Sequence, residues 1–587
     1  VAMANKPVAD SRRGTQARLG ALREPGRAGI VSLAAALVPV LLICLLATPI
    51  YPMSPDEQVQ QLYASGRFLG TGQQLLMPYS LVTFSAPISA LYALLPAVPW
   101  YALALLGLIV ASFAVAWDKT LRSRMSGRLC VPTLALLVAL EAISTLYLTY
   151  TIVAFLAVGA GLMLVLGRAA FESPGGAHAT DVAGMALVVA GYSLRPESGL
   201  ATIAMFAPFA VWVLVRNRNA GSIARGVIVV ALVGVCAFAG RFAYDHTPGW
   251  EGYSAYLDAG RSALDYPDLP AEAVQAVEPA LSDNDVDVLY NWLFADDGVF
   301  GTEFFERLGQ RVDHLGLSNL ASSLRAKTTY LLVGLVALVG LYAWALVRDL
   351  GEGRGALAAG IVLMLLASCG VLILRARVRL HVVIPLVAMG VFALVSLAGG
   401  SERPVGRHAA PATTRAASPC PVPLAAACVV LALAVSGGFW LKVARPLAAR
   451  STSPTIAAAR AYVDENPDQL VVFGRSQTLM FAGTNALAFE AWDYPDNMLP
   501  IGGWENHTAP WASFLARWGI EGNDVLQQLP ERSDMVAVLQ PKKMELIRTY
   551  LSEHSGREVE ASVVQDLGPG AADPSVDVYV YRFTYAS

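Results

Sequence analysis

Several short stretches of this chain carry side chains that could do chemistry, and most border an apolar block. The first reads Ser54-Pro55-Asp56-Glu57-Gln58. Adjacent carboxylates just beyond a membrane span can hold a general base at the membrane surface, where a lipid-linked substrate presents its headgroup. One carboxylate, Asp56, suffices as the base, and Glu57 is left to orient an acceptor or a divalent cation such as Mg or Mn. The same residues also read as a plain helix start, with Pro55 in the first turn and the acids complementing the helix dipole. The second stretch, Ser193-Leu194-Arg195-Pro196-Glu197-Ser198, joins two apolar blocks. Either Arg195 and Glu197 pair with each other, or Arg195 reaches a phosphate in a cavity and Glu197 contacts substrate.

The third stretch is Arg375-Ala376-Arg377-Val378-Arg379-Leu380-His381. The planar guanidinium fork matches phosphate oxygens, so Arg375, Arg377 and Arg379, with His381, are candidates for holding a lipid phosphate. Snorkelling to anionic headgroups is the alternative. An extended turn would aim all three arginines the same way, a helical one would not, and at least one is expected to serve packing only. The polar stretch 243–328 opens near Asp245 and His246, further candidates for substrate contact. Its aromatics, among them Trp250, Tyr253, Tyr256, Tyr266, Tyr290, Trp292 and Phe294, could stack on sugar rings or simply pack a subdomain. Asp283-Asn284-Asp285-Val286-Asp287 hints at a calcium loop, but Val288 and Phe294 stand where such a loop needs glycine and glutamate. Near the C-terminus, Gly502-Gly503-Trp504 forms an aromatic turn in which Trp504 could bind an acceptor glycan.

The elements that must position these groups follow from composition. The chain has 587 residues, 55% hydrophobic and 15% charged, with a mean hydropathy of +0.51. Soluble domains carry about 25% charged residues, and the apolar excess here falls in blocks of about 20 residues, enough to cross a bilayer as a helix. A polytopic α-helical membrane protein is expected; disorder, a coiled coil and a cytosolic enzyme are excluded. The net charge of −3 argues neither for nucleic acid nor for a basic membrane-surface module, and no nucleic-acid partner is expected. The six cysteines lie in or beside apolar blocks and form no metal-binding pattern. Almost all basic residues are arginine and alanine is abundant, as in a high-GC bacterium. The first apolar block, 29–50, reads as a retained span rather than a cleaved signal.

Basic residues cluster in 1–28, 118–128, 216–225 and 399–420. The positive-inside rule puts these segments in the cytoplasm, provided Ser80–Trp117 makes one net crossing with a membrane-dipping segment before it. About eleven spans result: 29–50, 99–117, 131–148, 150–167, 182–196, 200–215, 226–242, 329–347, 356–374, 380–398 and 421–441. The expected organisation is a cytoplasmic tail 1–28, a membrane domain 29–441 with outer loops 51–79 and 243–328, and an extracytoplasmic α/β domain 442–587. In that last domain, helices are expected over Ser453–Glu465, Trp511–Trp518 and Lys542–His554, and strands over Gln469–Phe473, Met535–Leu539 and Val576–Phe583.

With Asp56-Glu57 followed by Tyr63 and Ala64-Ser65-Gly66-Arg67-Phe68-Leu69-Gly70 after a first span, the chain resembles the GT-C glycosyltransferases. Within them it is most similar to the protein O-mannosyltransferases and the aminoarabinose transferases of lipid A. The resemblance implies a multi-pass protein of the bacterial plasma membrane, with a large outer loop between the seventh and eighth spans. It implies transfer of a sugar from a polyprenyl-phosphate donor to an envelope glycan, lipid or protein, with Asp56 as base and the outer arginines on the donor phosphate. One departure stands out: such enzymes often carry a second carboxylate in the next outer loop, whereas Tyr147-Leu148-Thr149-Tyr150 holds no acid. A polysaccharide polymerase or ligase, and a non-enzymatic lipid or glycan transporter, remain open alternatives.

Overall fold

The computed structural model describes residues 25–52, 54–171, 178–217, 220–350, 354–399, 420–450, 452–474, 485–488, 495–571 and 573–587. The basic clusters at 1–24 and 400–419, and Arg218, lie outside the described residues. The helices that matter here are α1 Pro25–Leu46, α2 Ser54–Ser65, α3 Val82–Leu94, α4 Trp100–Leu121, α5 Gly127–Leu146, α6 Tyr150–Phe171, α7 Ala179–Leu194, α8 Pro196–Asn217 and α9 Ala220–His246. After them come α10 Tyr253–Leu264, α11 Ala271–Gln275, α12 Asp283–Tyr290, α13 Asp297–Phe300, α14 Thr302–Gly309, α15 Asn319–Arg325, α16 Lys327–Leu350, α17 Gly355–Leu374, α18 Leu380–Ala398 and α19 Val422–Phe439.

Among the described residues, 10 helices are long and apolar enough to cross a membrane. The eleventh expected span is α7, whose 16 residues reach about 24 Å at 1.5 Å per residue. The ambiguous Ser80–Ala97 stretch folds as α3, whose 13 residues reach about 20 Å, short of a hydrocarbon core of about 30 Å. The bundle is built around α6 and α18, both almost wholly buried, while leucines such as Leu45 at 79% exposure face outward on α1. An all-round apolar helix belongs in such a centre. Small residues let α7 pack tightly on α6: a methyl group on Gly161 would meet the Gly184 carbonyl oxygen at 2.4 Å.

The connections sort to two ends of the bundle. At one end the Ser126 amide donates to Asp349 at 2.7 Å, the Arg124 amide donates to the Ala398 carbonyl at 3.1 Å, and Arg168 and Arg225 both bind the buried Asp181. At the other end lie the starts of α2, α6, α8, α16 and α18, the polar 247–326 region and the C-terminal residues.

The C-terminal residues form a five-stranded sheet in the order β2-β1-β3-β5-β4. The strands are β1 Leu470–Gly474, β2 Met498–Ile501, β3 Met535–Leu539, β4 Val559–Pro569 and β5 Asp577–Tyr585. β1 lies parallel to β2 and β3, and β5 lies antiparallel to β3 and β4. The helices of this region are α20 Arg445–Arg450, α21 Pro454–Glu465, α22 Ala509–Arg517 and α23 Pro541–Ser555; α21 packs on β4, and α23 packs on β4 and β5. Three of the expected strands and three of the expected helices occur, displaced by two residues or fewer. The short β2 and the edge strand β4 are additional.

This sheet unit docks on the polar loop through carboxylates. The Asp-rich run is no cation loop: Asp283 opens α12, and Ser282 and Asp285 cap each other's backbone amides. Asp285, almost fully buried, also bonds His554 of α23 at 2.9 Å. Asp296 accepts hydrogen bonds from the Leu526 amide at 2.8 Å and the Tyr550 hydroxyl at 2.9 Å.

Candidate functional site

A cavity of about 940 Å³ opens at the loop-rich end of the bundle. Five helices begin at its wall: Asp56 of α2, Tyr150 and Thr151 of α6, Thr328 of α16, Leu380 and His381 of α18, and Arg195 immediately before α8 line it. Helix N-termini carry unsatisfied amides and the positive end of the peptide dipoles, so their convergence favours an anion.

Each charged side chain owes its position to local sequence. Arg195 precedes Pro196, and a residue before proline is driven out of the helical region. Arg195 accordingly adopts φ −154°, ψ 102°, ending α7. The segment before it is tied to α3 and its lead-in: the Leu81 amide donates to the Ser193 carbonyl at 2.8 Å, and Ser80 Oγ donates to the Leu194 carbonyl at 2.9 Å. The Arg195 guanidinium lies 4.7 Å from the centre of the Tyr150 ring and donates to Thr151 Oγ1 at 2.7 Å, a cation–π and hydrogen-bond pairing that orients the fork. Asp56 does open a helix, as the plain reading has it, and it also lines the cavity. The Tyr150 hydroxyl donates to its Oδ2 at 3.4 Å.

The arginine stretch splits. α17 ends at Leu374 with Arg375 as its cap, Ala376 takes φ +50°, and the Arg377 amide reaches back to the Leu372 carbonyl at 2.9 Å, the bond pattern of a left-handed helix stop. Residues beyond the stop run extended into α18, with Arg379 at φ −98°, ψ 146°. Arg377, Arg379 and His381 therefore line the cavity, and Arg375, the residue that caps the end of α17, does not. Arg377 pairs with Asp265 at 2.8 Å. Asp265 also lies 3.6 Å from Arg261, which in turn binds Glu197 at 2.7 Å.

Several expected site residues fall outside the lining. Glu197 is not in it and serves Arg261 and, at 3.8 Å, Arg195. Asp245 pairs with Arg241 one turn back on α9, and His246 stacks on Phe242 at 4.0 Å; both are exposed and away from the cavity. Glu57 is fully buried next to Asp56, with neither carboxyl oxygen hydrogen-bonded among the described residues. Burial first, and the Asp56 charge second, push its carboxyl well above the usual range. The Asp56–Glu57 pair therefore does not converge on the cavity. Among the described residues no group of three or more His, Cys, Asp or Glu is placed to hold a metal ion.

The aromatics also separate. Trp250, Tyr253, Tyr256 and Phe294 are core residues with less than 2% exposure. Trp504 reaches the cavity but is wedged between Tyr256, Trp292, Phe294 and Phe305. Tyr266 and Trp292 line the cavity half-buried. Six described non-glycine residues have positive φ, and three of them, Tyr79, Trp292 and Ala376, line this cavity. Such backbone costs about 1–3 kcal/mol per residue and gathers at functional sites.

The sequence reading missed Arg261, Asp265, Thr151, Tyr79 and Thr328 as cavity residues. Arg261 and Asp265 stand at i,i+4 spacing, which is a common helix-surface pair and signals no site. Comparison of the chain with models of protein families, with curated proteins and with solved structures returned no match.

Proposed function

We propose that the cavity is the site of a membrane glycosyltransferase of the GT-C kind, moving one sugar from a polyprenyl phosphate to an envelope glycan, lipid or protein. In this reading the loop-rich end and the C-terminal sheet face outward from the bacterial plasma membrane, and the N-terminus is cytoplasmic. The observation that carries the proposal is the pairing, around one cavity of about 940 Å³, of the carboxylate Asp56 with Arg195, Arg377, Arg379 and five helix N-termini. A base and an anion cradle are the two things that transfer from a lipid phosphate requires.

In the reaction, Asp56 takes the proton of the acceptor hydroxyl as its oxygen bonds to the sugar's anomeric carbon. The anomeric carbon–oxygen bond to phosphate breaks, and the phosphate leaves with the electron pair. Arg195, Arg377 and Arg379 meet the charge that develops on it. A prenyl phosphate is already a good leaving group, so the site acts chiefly by positioning and electrostatics.

The test is envelope glycan composition in a deletion strain complemented with wild type or Asp56→Asn at matched expression. Wild type is expected to restore a missing sugar. Loss of a general base costs about 10²- to 10⁴-fold, so Asp56→Asn is expected to restore none. Equal restoration by both would remove Asp56 from the chemistry, and an unchanged envelope in the deletion strain would remove glycosyl transfer altogether.

A further inference from the structure

The arginines and helix N-termini account for only part of the cavity wall. Another part is built from the chain beyond α10, Tyr266-Pro267-Asp268, together with Trp292. Nothing in this second part suits a phosphate. We propose that it is a sugar-ring subsite, with Trp292 as the stacking face, Tyr266 beside it and Asp268 as the acceptor of sugar hydroxyls. This deepens the transferase reading and rests on it for the origin of the sugar.

Three observations converge. First, Trp292 is half-buried at the cavity whereas most large aromatics around it are core. Second, its indole is held in place: it stands edge-on to Trp504 with ring centres 5.3 Å apart, and its own backbone sits at φ +55°. Gly502, at φ +73°, passes so close that a methyl group there would meet the Trp292 carbonyl oxygen at 1.9 Å. Both the C-terminal turn and a strained backbone thus hold one aromatic at the cavity. Third, the carboxylates are unequally engaged. Asp265 is taken by Arg377 and Arg261, and Asp56 accepts from Tyr150. Asp268 has neither a hydrogen bond nor an ion pair among the described residues, although four arginines line the same cavity.

A carboxylate offers about four acceptor sites and no donor. A sugar ring offers the complement, hydroxyl donors around an apolar C–H face that stacks on an indole. A cavity of this size has room for both a phosphate and a ring. The ring belongs either to the donor's sugar or to an acceptor glycan. Asp268 also supplies, from the later loop, a cavity carboxylate besides Asp56 and the ion-paired Asp265, where the Tyr147–Tyr150 turn holds none.

The experiment is saturation-transfer NMR on the full-length protein in lipid nanodiscs. The probes are neutral hexasaccharides of mannose, glucose and arabinose, the oligosaccharides released by partial hydrolysis from the deletion strain's envelope, and prenyl-phosphate mannose with prenyl phosphate as reference. At least one sugar probe is expected to bind wild type and Asp56→Asn alike. Trp292→Ala is expected to weaken that binding at least tenfold and Trp292→Phe by no more than threefold. Asp268→Asn should weaken it several-fold. Unchanged prenyl-phosphate binding by Trp292→Ala shows that the fold is kept. Binding of a free oligosaccharide assigns the subsite to the acceptor; binding of sugar only when attached to prenyl phosphate assigns it to the donor. No sugar probe with Trp292-dependent binding overturns the subsite. Sugar binding without transfer by wild type would instead sink the transferase reading and leave the subsite standing, and normal transfer kinetics in Trp292→Ala would do the reverse.

Discussion

Arg375 and Arg377 stand two positions apart, and only the second reaches the cavity. The separation gives a sharp comparison. A charge-assisted hydrogen bond contributes about 1.5–3 kcal/mol, so Arg377→Ala and Arg195→Ala should each weaken donor binding about 10- to 100-fold. Arg375→Ala should change it by less than threefold. Titrating prenyl phosphate into the purified variants decides this, and equal losses at 375 and 377 would mean the arginines act as a diffuse basic patch. Glu57 invites a second comparison. Its carboxyl is held well above the ordinary range, chiefly by burial and next by the Asp56 charge. A raised folded-state value means the carboxyl favours the fold below the unfolded value of about 4.3, and that this contribution is lost as pH rises. Glu57→Gln is therefore expected to raise the melting temperature at pH 7.5 relative to wild type while leaving it nearly unchanged at pH 4.5. A drop at pH 7.5 would show that the charged form is needed.

At the scale of elements, the docking of α23 and its neighbours on the polar loop is titratable. His554 is raised, through its hydrogen bond to Asp285. Its contribution is full below the unfolded value of about 6.5 and is lost as pH rises through the folded value. Asp296 is pushed up to about 7 by burial, so its ionisation cost to the docked state grows between its unfolded value of about 3.9 and pH 7. Both groups weaken the same contact as pH rises. Proteolysis of the full-length protein should release the C-terminal unit faster at pH 8.5 than at pH 6, and His554→Gln should flatten that difference. A pH-independent rate would remove both groups from the docking. Elements also show where patterning misled. β2 is only four residues long and fully buried, so it lacks the alternation that marks a strand. β4 is an edge strand exposed along most of its length, so its pattern reads as polar loop.

For the whole molecule, the spatial sorting of loops to two ends is the strongest structural statement, and orientation is the test it permits. In a background freed of the native cysteines, Ser575→Cys, in an exposed turn next to β5, is expected to react with a membrane-impermeant maleimide in intact cells. Arg122→Cys, on the opposite end with 41% side-chain exposure, is expected to react only after permeabilisation. The reverse pattern would place the cavity on the cytoplasmic side and remove the envelope acceptor.

Composition and period alone determined the membrane architecture. Twenty-residue apolar blocks must become helices because unsatisfied backbone is too costly in lipid, so ten of the eleven expected spans appear as helices of spanning length, near their expected bounds. The sequence also singled out Asp56, Arg195, Arg377, Arg379, His381 and Trp504, because charge and aromaticity at a block's edge are unusual enough to notice. Only the tertiary structure decided which of these share a cavity. Arg375 left the set because a left-handed stop at Ala376 falls between it and Arg377, and a non-glycine left-handed residue has no sequence signature. Arg261, Asp265, Asp268 and Trp292 entered because the 247–326 region folds back over the helix starts. Asp56 and Asp268 line one cavity although more than two hundred residues separate them in the chain, a separation no local pattern encodes.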